Sequence, residues 1–296
     1  MKYTEHNNTI ILTNYNSFDI EEILECGQCF RFEKLKNNGK IKHYSLIALG
    51  KLLYIEQKAE NIIFYYESSP LTIDEFKDIW IPYFDLDRDY EQIKSFLAKD
   101  AILSRAIAFA PGIRLLQQDP FEMIVSFIIS QNNRIPQIKQ VIKNISEKYG
   151  SNIYNLNFAF PSPDELFIAT QDELRQLKTG FRDKYIVAAM VAVFDKKLSL
   201  ARNNDIPTEQ LRQSLLSVKG IGEKVAHCIL LFGYGRYDVF PVDTWVRKIM
   251  QGLYFNGEAV SVKQMHSFAK EKFGEYSGFA NQYLFHYIRL NEKAAN

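Results

Sequence analysis

Cysteine is scarce in this chain of 296 residues, and so are long apolar runs and any excess of charge of one sign. The three cysteines, at positions 26, 29 and 228, are too few for a disulfide framework and cannot alone complete a four-cysteine zinc or iron–sulfur site. Their scarcity favours a reducing cytosol. No apolar run approaches the roughly 18–20 residues that span a bilayer, and the opening MKYTEHNNTI lacks the apolar core of a signal peptide. We therefore expect neither a membrane protein nor a secreted one.

The charges nearly cancel over the whole chain but not along it. The 36 Lys and Arg against 35 Asp and Glu give a net charge of +1, which argues against a nucleic-acid partner because most such proteins are basic. Residues 1–100, however, hold 12 basic and 17 acidic side chains, a sum of −5, which leaves +6 for residues 101–296. The basic part can attract phosphate, although a split of this size also arises by chance in two-domain proteins.

Two apolar patterns divide the chain near residues 70–100. Before Pro70, short runs rich in β-branched and aromatic residues, separated by turns at 37–40 and 49–51, predict an antiparallel sheet. The predicted strands are TIILTNY (9–15), HYSLIAL (43–49), KLLYIEQ (51–57) and NIIFYYE (61–67). After Pro70, apolar residues recur every three or four positions, which predicts helices to the C-terminus. The clearest are FEMIVSFIIS (121–130), IPQIKQVIKNISEKY (135–149) and DKYIVAAMVAVF (183–194).

The length of the chain suggests two domains, or one large helical body with a smaller partner. Because the sequence has no long linker, we expect the sheet and the helical body to pack as one compact particle. The predicted fold class is α+β, with an N-terminal antiparallel β-sheet domain and its following helices at 1–100, packed on a mainly helical region at 101–296. At 162–165, Ser-Pro-Asp-Glu combines an N-cap serine, a proline at the first helical position and a glutamate that closes a capping box. A helix should begin there.

A helix, a tight turn and a second helix are predicted at 211–233. Val218 and Ile221 can anchor this turn, while Gly220 and Gly222 permit positive φ or the close approach of another backbone. The free N–H groups at the start of the second helix suit a phosphate. An ordinary helical hairpin with glycines at its turn is the alternative.

Reactive side chains follow this turn. Lys224 lies in the first turn of the second helix, where the helix dipole disfavours an ammonium and leaves more free amine to act as a nucleophile. Cys228 follows on the same helical face, either as part of a site or as a small buried core residue. Asp243 precedes the helix TWVRKIM and can serve as its N-cap, as a carboxylate that stabilises developing positive charge, or as both.

Together, VKGIGEKVAHC (218–228) and VFPVDTW (239–245) resemble the helix–hairpin–helix, Gly/Pro-rich loop and aspartate signature of the DNA glycosylase superfamily. The segments CGQCFRF (26–32), PGIRLLQQDPFEMIVSFIISQNN (111–133) and GFANQYLF (278–285) narrow the resemblance to the 8-oxoguanine DNA glycosylase family. The resemblance implies a helical glycosylase body with its helix–hairpin–helix at 207–232. It also implies a bifunctional enzyme of base excision repair that flips out 8-oxoguanine, excises it and cleaves the strand by β-elimination. The alternatives are a monofunctional glycosylase for alkylated bases and a non-catalytic DNA-binding protein.

The resemblance implies a role for each pocket residue. Lys224 matches the nucleophile that attacks C1′ and forms a Schiff base, and Asp243 matches the carboxylate that stabilises the oxocarbenium-like transition state. The carbonyl of Gly27 matches the acceptor for N7–H, a donor that guanine lacks, which is worth roughly 1–3 kcal/mol of discrimination. Cys228 and Phe285 match the pair that sandwiches the base. Near its Watson–Crick edge, Asn281 stands where relatives have glutamine.

The same resemblance implies a DNA-contacting surface. Asn132 matches the residue that fills the space left by the flipped base, and Phe181 stands where a tyrosine wedges into the duplex. Gln137 aligns with an arginine that reads the opposite cytosine, and Arg134 is placed to substitute for it. The remaining predicted contacts are Lys219 where the hairpin often has proline, Gly220, Gly222, Trp245 where relatives have histidine, and Arg247.

The expected partner is double-stranded DNA that contains 8-oxoguanine, and we expect no association with a membrane. The resemblance implies no required cofactor and no protein metal site, and it allows a structural cation that bridges the hairpin and a DNA phosphate. We expect a monomer in the cytoplasm, associated with the nucleoid if the source is bacterial.

Overall fold

The computed structural model describes residues 1–35, 41–59, 61–202 and 205–295, and for 291–295 it describes the backbone alone. The turn predicted at 37–40 lies outside the described residues. Over the described ranges, an antiparallel sheet built from the N-terminal segment packs on a helical body. The predicted α+β fold class is therefore confirmed, whereas the predicted division at residue 100 stays a prediction.

The N-terminal sheet has six strands among the described residues, in the order β1-β2-β6-β5-β4-β3, and all neighbours are antiparallel. The strands are β1 (Lys2–His6), β2 (Thr9–Thr13), β3 (Phe32–Lys34), β4 (Lys42–Ala48), β5 (Lys51–Lys58) and β6 (Asn61–Tyr65). The four predicted strands correspond to β2, β4, β5 and β6. The two edge strands, β1 and β3, were missed because their side chains are mostly exposed and show no apolar alternation.

The helical body begins after the sheet. Its helices, with the earlier α1, are α1 (Ile20–Glu25), α2 (Ile73–Glu75), α3 (Ile81–Tyr83), α4 (Tyr90–Leu97), α5 (Ala101–Phe109), α6 (Pro120–Ser130), α7 (Ile135–Tyr149), α8 (Pro163–Phe167), α9 (Gln171–Leu174), α10 (Asp183–Phe194), α11 (Thr208–Leu216), α12 (Glu223–Phe232), α13 (Thr244–Ile249), α14 (Val262–Phe273) and α15 (Ser277–Ala295). π-helical turns lie at Phe76–Trp80, Arg175–Thr179 and Met250–Tyr254, and 3-10 turns at Gly180–Arg182 and Gly274–Tyr276.

The predicted helices at 121–130, 135–149 and 183–194 correspond to α6, α7 and α10. The predicted capping box is also present, since the Ser162 N–H donates to Glu165 Oε2 at 2.7 Å and the Glu165 N–H to Ser162 Oγ at 3.3 Å. A short hairpin interrupts the helices, with strands β7 (Asn152–Tyr154) and β8 (Asn157–Phe158). The expectation of helices alone after Pro70 was wrong there, because three residues are too few to show a period.

Two apolar cores meet at the segment that follows α1. One lies between the sheet, α1 and the residues up to Leu86, and the other lies among the helices from Tyr90 onward. In the segment between α1 and β3, Cys26 and Phe30 are buried in the helical core, whereas Cys29 is buried in the sheet core. The segment is thereby held between the two cores. Among the described residues, no helix is both long and apolar enough to cross a bilayer.

Candidate active site

The hairpin between α11 and α12 uses its two glycines differently. Gly220 has a φ of +97°, and a Cβ there would lie 2.2 Å from Cγ of Tyr185 on α10. Gly222 is the N-cap of α12 and has no side-chain cap, and, apart from its chain neighbours, a Cβ there would meet no atom of the described residues within 4 Å. Gly220 is therefore required by the packing, whereas Gly222 leaves the N–H groups at the start of α12 open to an outside partner.

Lys224 lies in the first turn of α12 and is half-buried. Its Nζ sits 5.5 Å from the centre of the Phe127 ring, which is contributed by α6. Cys228, one turn later, is 5% exposed. Burial raises the pKa of the Cys228 thiol, and the charge of Lys224 opposes that rise. The predicted proximity of the amine and the thiol on one face of α12 is therefore present.

Asp243 caps α13, because its Oδ1 accepts a hydrogen bond from the Val246 N–H at 2.8 Å. Burial raises the pKa of Asp243, while the Val246 N–H and the charge of Lys224 act to lower it. The charge of Lys224 therefore acts on the Asp243 carboxylate, although the two residues come from different helices. Capping and proximity to Lys224 coexist, as the sequence allowed.

The glycine of the CGQC segment contacts the far end of the chain. Gly27 has a φ of +87°, and a Cβ there would lie 3.0 Å from Cε1 of Phe285 on α15. Two aromatic rings connect the same segment with Lys224. Phe30 packs edge-on to Phe127 with ring centres 5.9 Å apart, and Lys224 lies over the Phe127 ring. The CGQC segment is thus linked to Phe285 directly and to Lys224 through the rings of Phe30 and Phe127.

Two family models match the chain. The 8-oxoguanine DNA glycosylase N-terminal domain matches residues 10–124, and the HhH-GPD superfamily of base excision DNA repair proteins matches residues 125–275. The chain belongs to the 8-oxoguanine DNA glycosylase family. The family resemblance inferred from the sequence motifs is therefore confirmed.

Relatives with similarity over most of their length support this membership. A crystallised 8-oxoguanine glycosylase/lyase from Clostridium acetobutylicum, in complex with double-stranded DNA containing cytosine opposite 8-oxoG, is 39% identical, with a TM-score of 0.92 over 99% of each chain. A probable N-glycosylase/DNA lyase from Methanothermobacter thermautotrophicus is 31% identical over 70% of this chain and 72% of its own length. The N-glycosylase/DNA lyase of Saccharomyces cerevisiae is 27% identical over 92% of this chain and 84% of its own.

Asn281, a predicted base contact, makes a hydrogen bond within the protein. Its Nδ2 donates to the carbonyl of Pro241 at 2.8 Å, and the side chain is 4% exposed. Pro241 lies two residues before Asp243, so Asn281 also ties the loop of the carboxylate to α15. The contact of Asn281 with the base stays a prediction.

Asn132 and Phe181, two of the predicted DNA contacts, are joined by a residue that sequence reasoning missed. Arg182 is 8% exposed and donates to the carbonyls of Gln131 at 2.8 Å and Asn132 at 2.9 Å. Its guanidinium lies 4.4 Å from the ring centre of Phe181, which is itself 49% exposed. Phe181 in turn packs edge-on to Tyr185, the residue beneath Gly220. These contacts connect the Asn132 turn, the Phe181 turn and the hairpin.

The other predicted DNA contacts lie at the surface. Arg134 and Gln137 are exposed at the start of α7, and Lys219 is exposed in the hairpin. Trp245 is half-buried in the first turn of α13, and Arg247 is exposed on that helix. Within the described ranges, no group of three His, Cys, Asp or Glu side chains could hold a metal ion.

Sequence reasoning also missed buried donors around Gly27. They are Gln118, in the segment before α6, and Gln282 and Arg289 on α15, none more than 8% exposed. A weak signal existed for Gln282, because it stands with Asn281 inside the otherwise apolar stretch GFANQYLF. No comparable signal marked Arg182, since an arginine after Gly-Phe reads as an exposed charge.

Proposed function

We propose that this chain is a bifunctional DNA glycosylase/AP lyase of base excision repair, which flips 8-oxoguanine out of duplex DNA, excises it and then cleaves the strand. The observation that carries this proposal is the proximity of Lys224, in the first turn of α12, to the half-buried Asp243 carboxylate in a chain of the 8-oxoguanine DNA glycosylase family. A phosphate-binding hairpin alone would need neither group.

In the proposed reaction, the neutral Lys224 amine attacks C1′ as the N-glycosidic bond breaks, and the bonding electron pair leaves with the base, which takes up a proton. Asp243 stabilises the positive charge that develops on the sugar. Opening of the sugar yields a Schiff base between Nζ and C1′. Loss of a C2′ proton then expels the 3′ phosphate, which cleaves the strand by β-elimination.

For base recognition, we assign the carbonyl of Gly27 as the acceptor for N7–H. Cys228 and Phe285 are assigned to the two faces of the base, which is supported by the contact between Gly27 and Phe285 and by the position of Cys228 one turn after Lys224. Asn281 is assigned to the Watson–Crick edge in addition to its bond to Pro241.

For the duplex, we assign Asn132 to the space of the flipped base and Phe181 to the wedge, with Arg134 and Gln137 beside the opposite base. The backbone contacts assigned are Lys219, Gly220, Gly222, Trp245 and Arg247. A cation between the hairpin and a phosphate belongs to the same proposal. We also propose that the chain is a monomer and that it lies in the cytoplasm, and the compartment is supported by three buried cysteines that form no disulfide.

Incubating the wild-type protein with three duplexes tests the function: one with 8-oxoguanine, one with an alkylated base and one undamaged. We expect base release, strand cleavage and a borohydride-trapped adduct with the first duplex alone. Base release from the alkylated duplex without cleavage would support a monofunctional enzyme instead. Equal affinity for all three with no base release would support a non-catalytic DNA-binding protein.

We expect substitution by alanine to affect thermal stability at one hairpin glycine and DNA binding at the other. Gly222→Ala should unfold at the wild-type temperature, because its Cβ would touch no other atom of the described residues. It should bind duplex about tenfold more weakly, because the Cβ stands at the N–H groups that α12 offers to phosphate. Gly220→Ala should lower the melting temperature, because its Cβ would overlap Tyr185 at a positive φ. Thermal unfolding and duplex titration of both variants measure this. Wild-type affinity in Gly222→Ala would contradict the assignment.

A further inference from the structure

Three carbonyls at the end of α1 and in the turn that follows it, those of Glu25, Cys26 and Gln28, accept hydrogen bonds from buried side chains. Gln282 Nε2 donates to the carbonyl of Cys26 at 2.8 Å, and Gln118 Nε2 donates to that of Gln28 at 2.8 Å. An Arg289 Nη2–H donates to the carbonyl of Glu25. Gln282 and Arg289 lie on α15 and Gln118 lies in the segment before α6, so all three donors are remote from the turn in sequence.

The carbonyl of Gly27 differs from these three carbonyls in its hydrogen bonding. Within the described ranges, no protein donor reaches it, although the carbonyls on both sides of it are engaged. An acceptor left unpaired costs free energy when it is shielded from water, so it favours a ligand that brings a donor. The turn therefore offers one free acceptor beside the Phe285 ring.

The bonds on either side also determine where this acceptor points. The bond from Gln282 holds the peptide group before Gly27, and the bond from Gln118 holds the peptide group after Gln28. The Gln28 side chain is itself fully buried and bonds the carbonyl of Arg114 and the N–H of Leu116, both at 2.8 Å. The peptide groups on both sides of the Gly27 carbonyl are therefore anchored, which fixes the path of the backbone that carries it.

Gln282 belongs to one face of α15 that meets the turn. Phe285 is three residues later and Arg289 four beyond that, so the three side chains lie along one side of the helix. The residue before Gln282, Asn281, donates a hydrogen bond to the carbonyl of Pro241, which lies two residues before Asp243. Adjacent residues of α15 thus hold the turn with Gly27 and the loop that leads to Asp243.

We propose that Gln282 is a positioning residue for base recognition, which directs the Gly27 carbonyl at the donor that distinguishes 8-oxoguanine. The inference rests on the proposed function, because it assigns the free acceptor to the damaged base. It requires no contact between Gln282 and DNA. It also separates recognition from cleavage, since an abasic site has no base for the Gly27 carbonyl to meet.

Single-turnover kinetics of Gln282→Met on two duplexes tests the proposal, one with 8-oxoguanine and one with a preformed abasic site. Methionine keeps the length and volume of glutamine but cannot donate to Cys26. We expect base excision to slow about tenfold or more, with cleavage of the abasic site within about twofold of wild type. Gln282→Asn, which keeps an amide but falls short of the carbonyl, should behave alike and covers the case in which methionine prevents folding.

The matched control is Tyr234→Phe, which removes a buried donor to the carbonyl of Ser199, 2.5 Å away and outside the turn. It should leave both rates close to wild type. Parallel losses of excision and abasic-site cleavage in the Gln282 variants, or no loss at all, would overturn the positioning role while the wild type remains an active glycosylase. A wild type that fails to excise 8-oxoguanine would overturn the proposed function, and the inference with it.

Discussion

Lys224→Gln should abolish the covalent adduct that borohydride traps on a duplex with 8-oxoguanine, while binding of that duplex persists. An amide nitrogen has no available lone pair with which to attack C1′, so base excision should fall roughly a thousandfold or more. Glutamine retains a polar side chain over Phe127 at the half-buried position, so the hairpin should keep its structure. Trapping on denaturing gels and titration with labelled duplex measure the two properties.

The matched control for this variant is Lys263→Gln, which removes the same charge from an exposed position on α14. It should trap as much adduct as the wild type. An undiminished adduct in Lys224→Gln would show that another amine is the nucleophile and would contradict the assignment. Loss of both trapping and binding would instead point to a role of Lys224 in holding DNA.

Asp243→Asn should slow excision about a hundredfold or more with little change in stability. Asparagine is as good an N-cap as aspartate, so the bond from the Val246 N–H to the side chain of residue 243 can persist. The negative charge that stabilises the sugar in the transition state is lost, which is an effect of this order for one electrostatic group. Asp243→Ala removes the cap as well and should also destabilise the protein by about 1 kcal/mol. Rates and melting temperatures of both variants separate the two roles.

The pH profile of the wild type gives a second check on Asp243. Burial raises its pKa above the usual aspartate value, so the carboxylate is lost earlier than usual as the pH falls. Excision should therefore decline on the acid side at a pH above the ordinary aspartate range, and Asp243→Asn should lack this limb. An unchanged acid limb in the asparagine variant would assign the titration to another group.

Local sequence signals predicted much of the fold and the reactive groups. Periodicity located α6, α7 and α10, and the spacing of Ser162 and Glu165 predicted the start of α8. Both signals depend on residues within a few positions of each other. Lys224 and Asp243 were recognisable for the same reason, since each stands at the start of a helix beside a distinctive turn.

Elements without such local signals were missed. The edge strands β1 and β3 are mostly exposed, and β7 and β8 are too short to show a period. The two hairpin glycines also look equivalent in the sequence. The structure separates them because Tyr185, from another helix, packs against Gly220, whereas no side chain in the described part of the chain packs against Gly222.

By itself, the sequence of this protein determined which chemical groups are present and which helix ends carry them, because capping, periodicity and turn residues act over a few positions. Only the tertiary structure decided which groups remain free. The bond from Gln282 to Cys26 joins residues 256 positions apart, so it exists only once α15 has packed against the turn. The carbonyl of Gly27, to which no described residue donates, is likewise a product of packing, because α15 and the segment before α6 place donors on the carbonyls beside it.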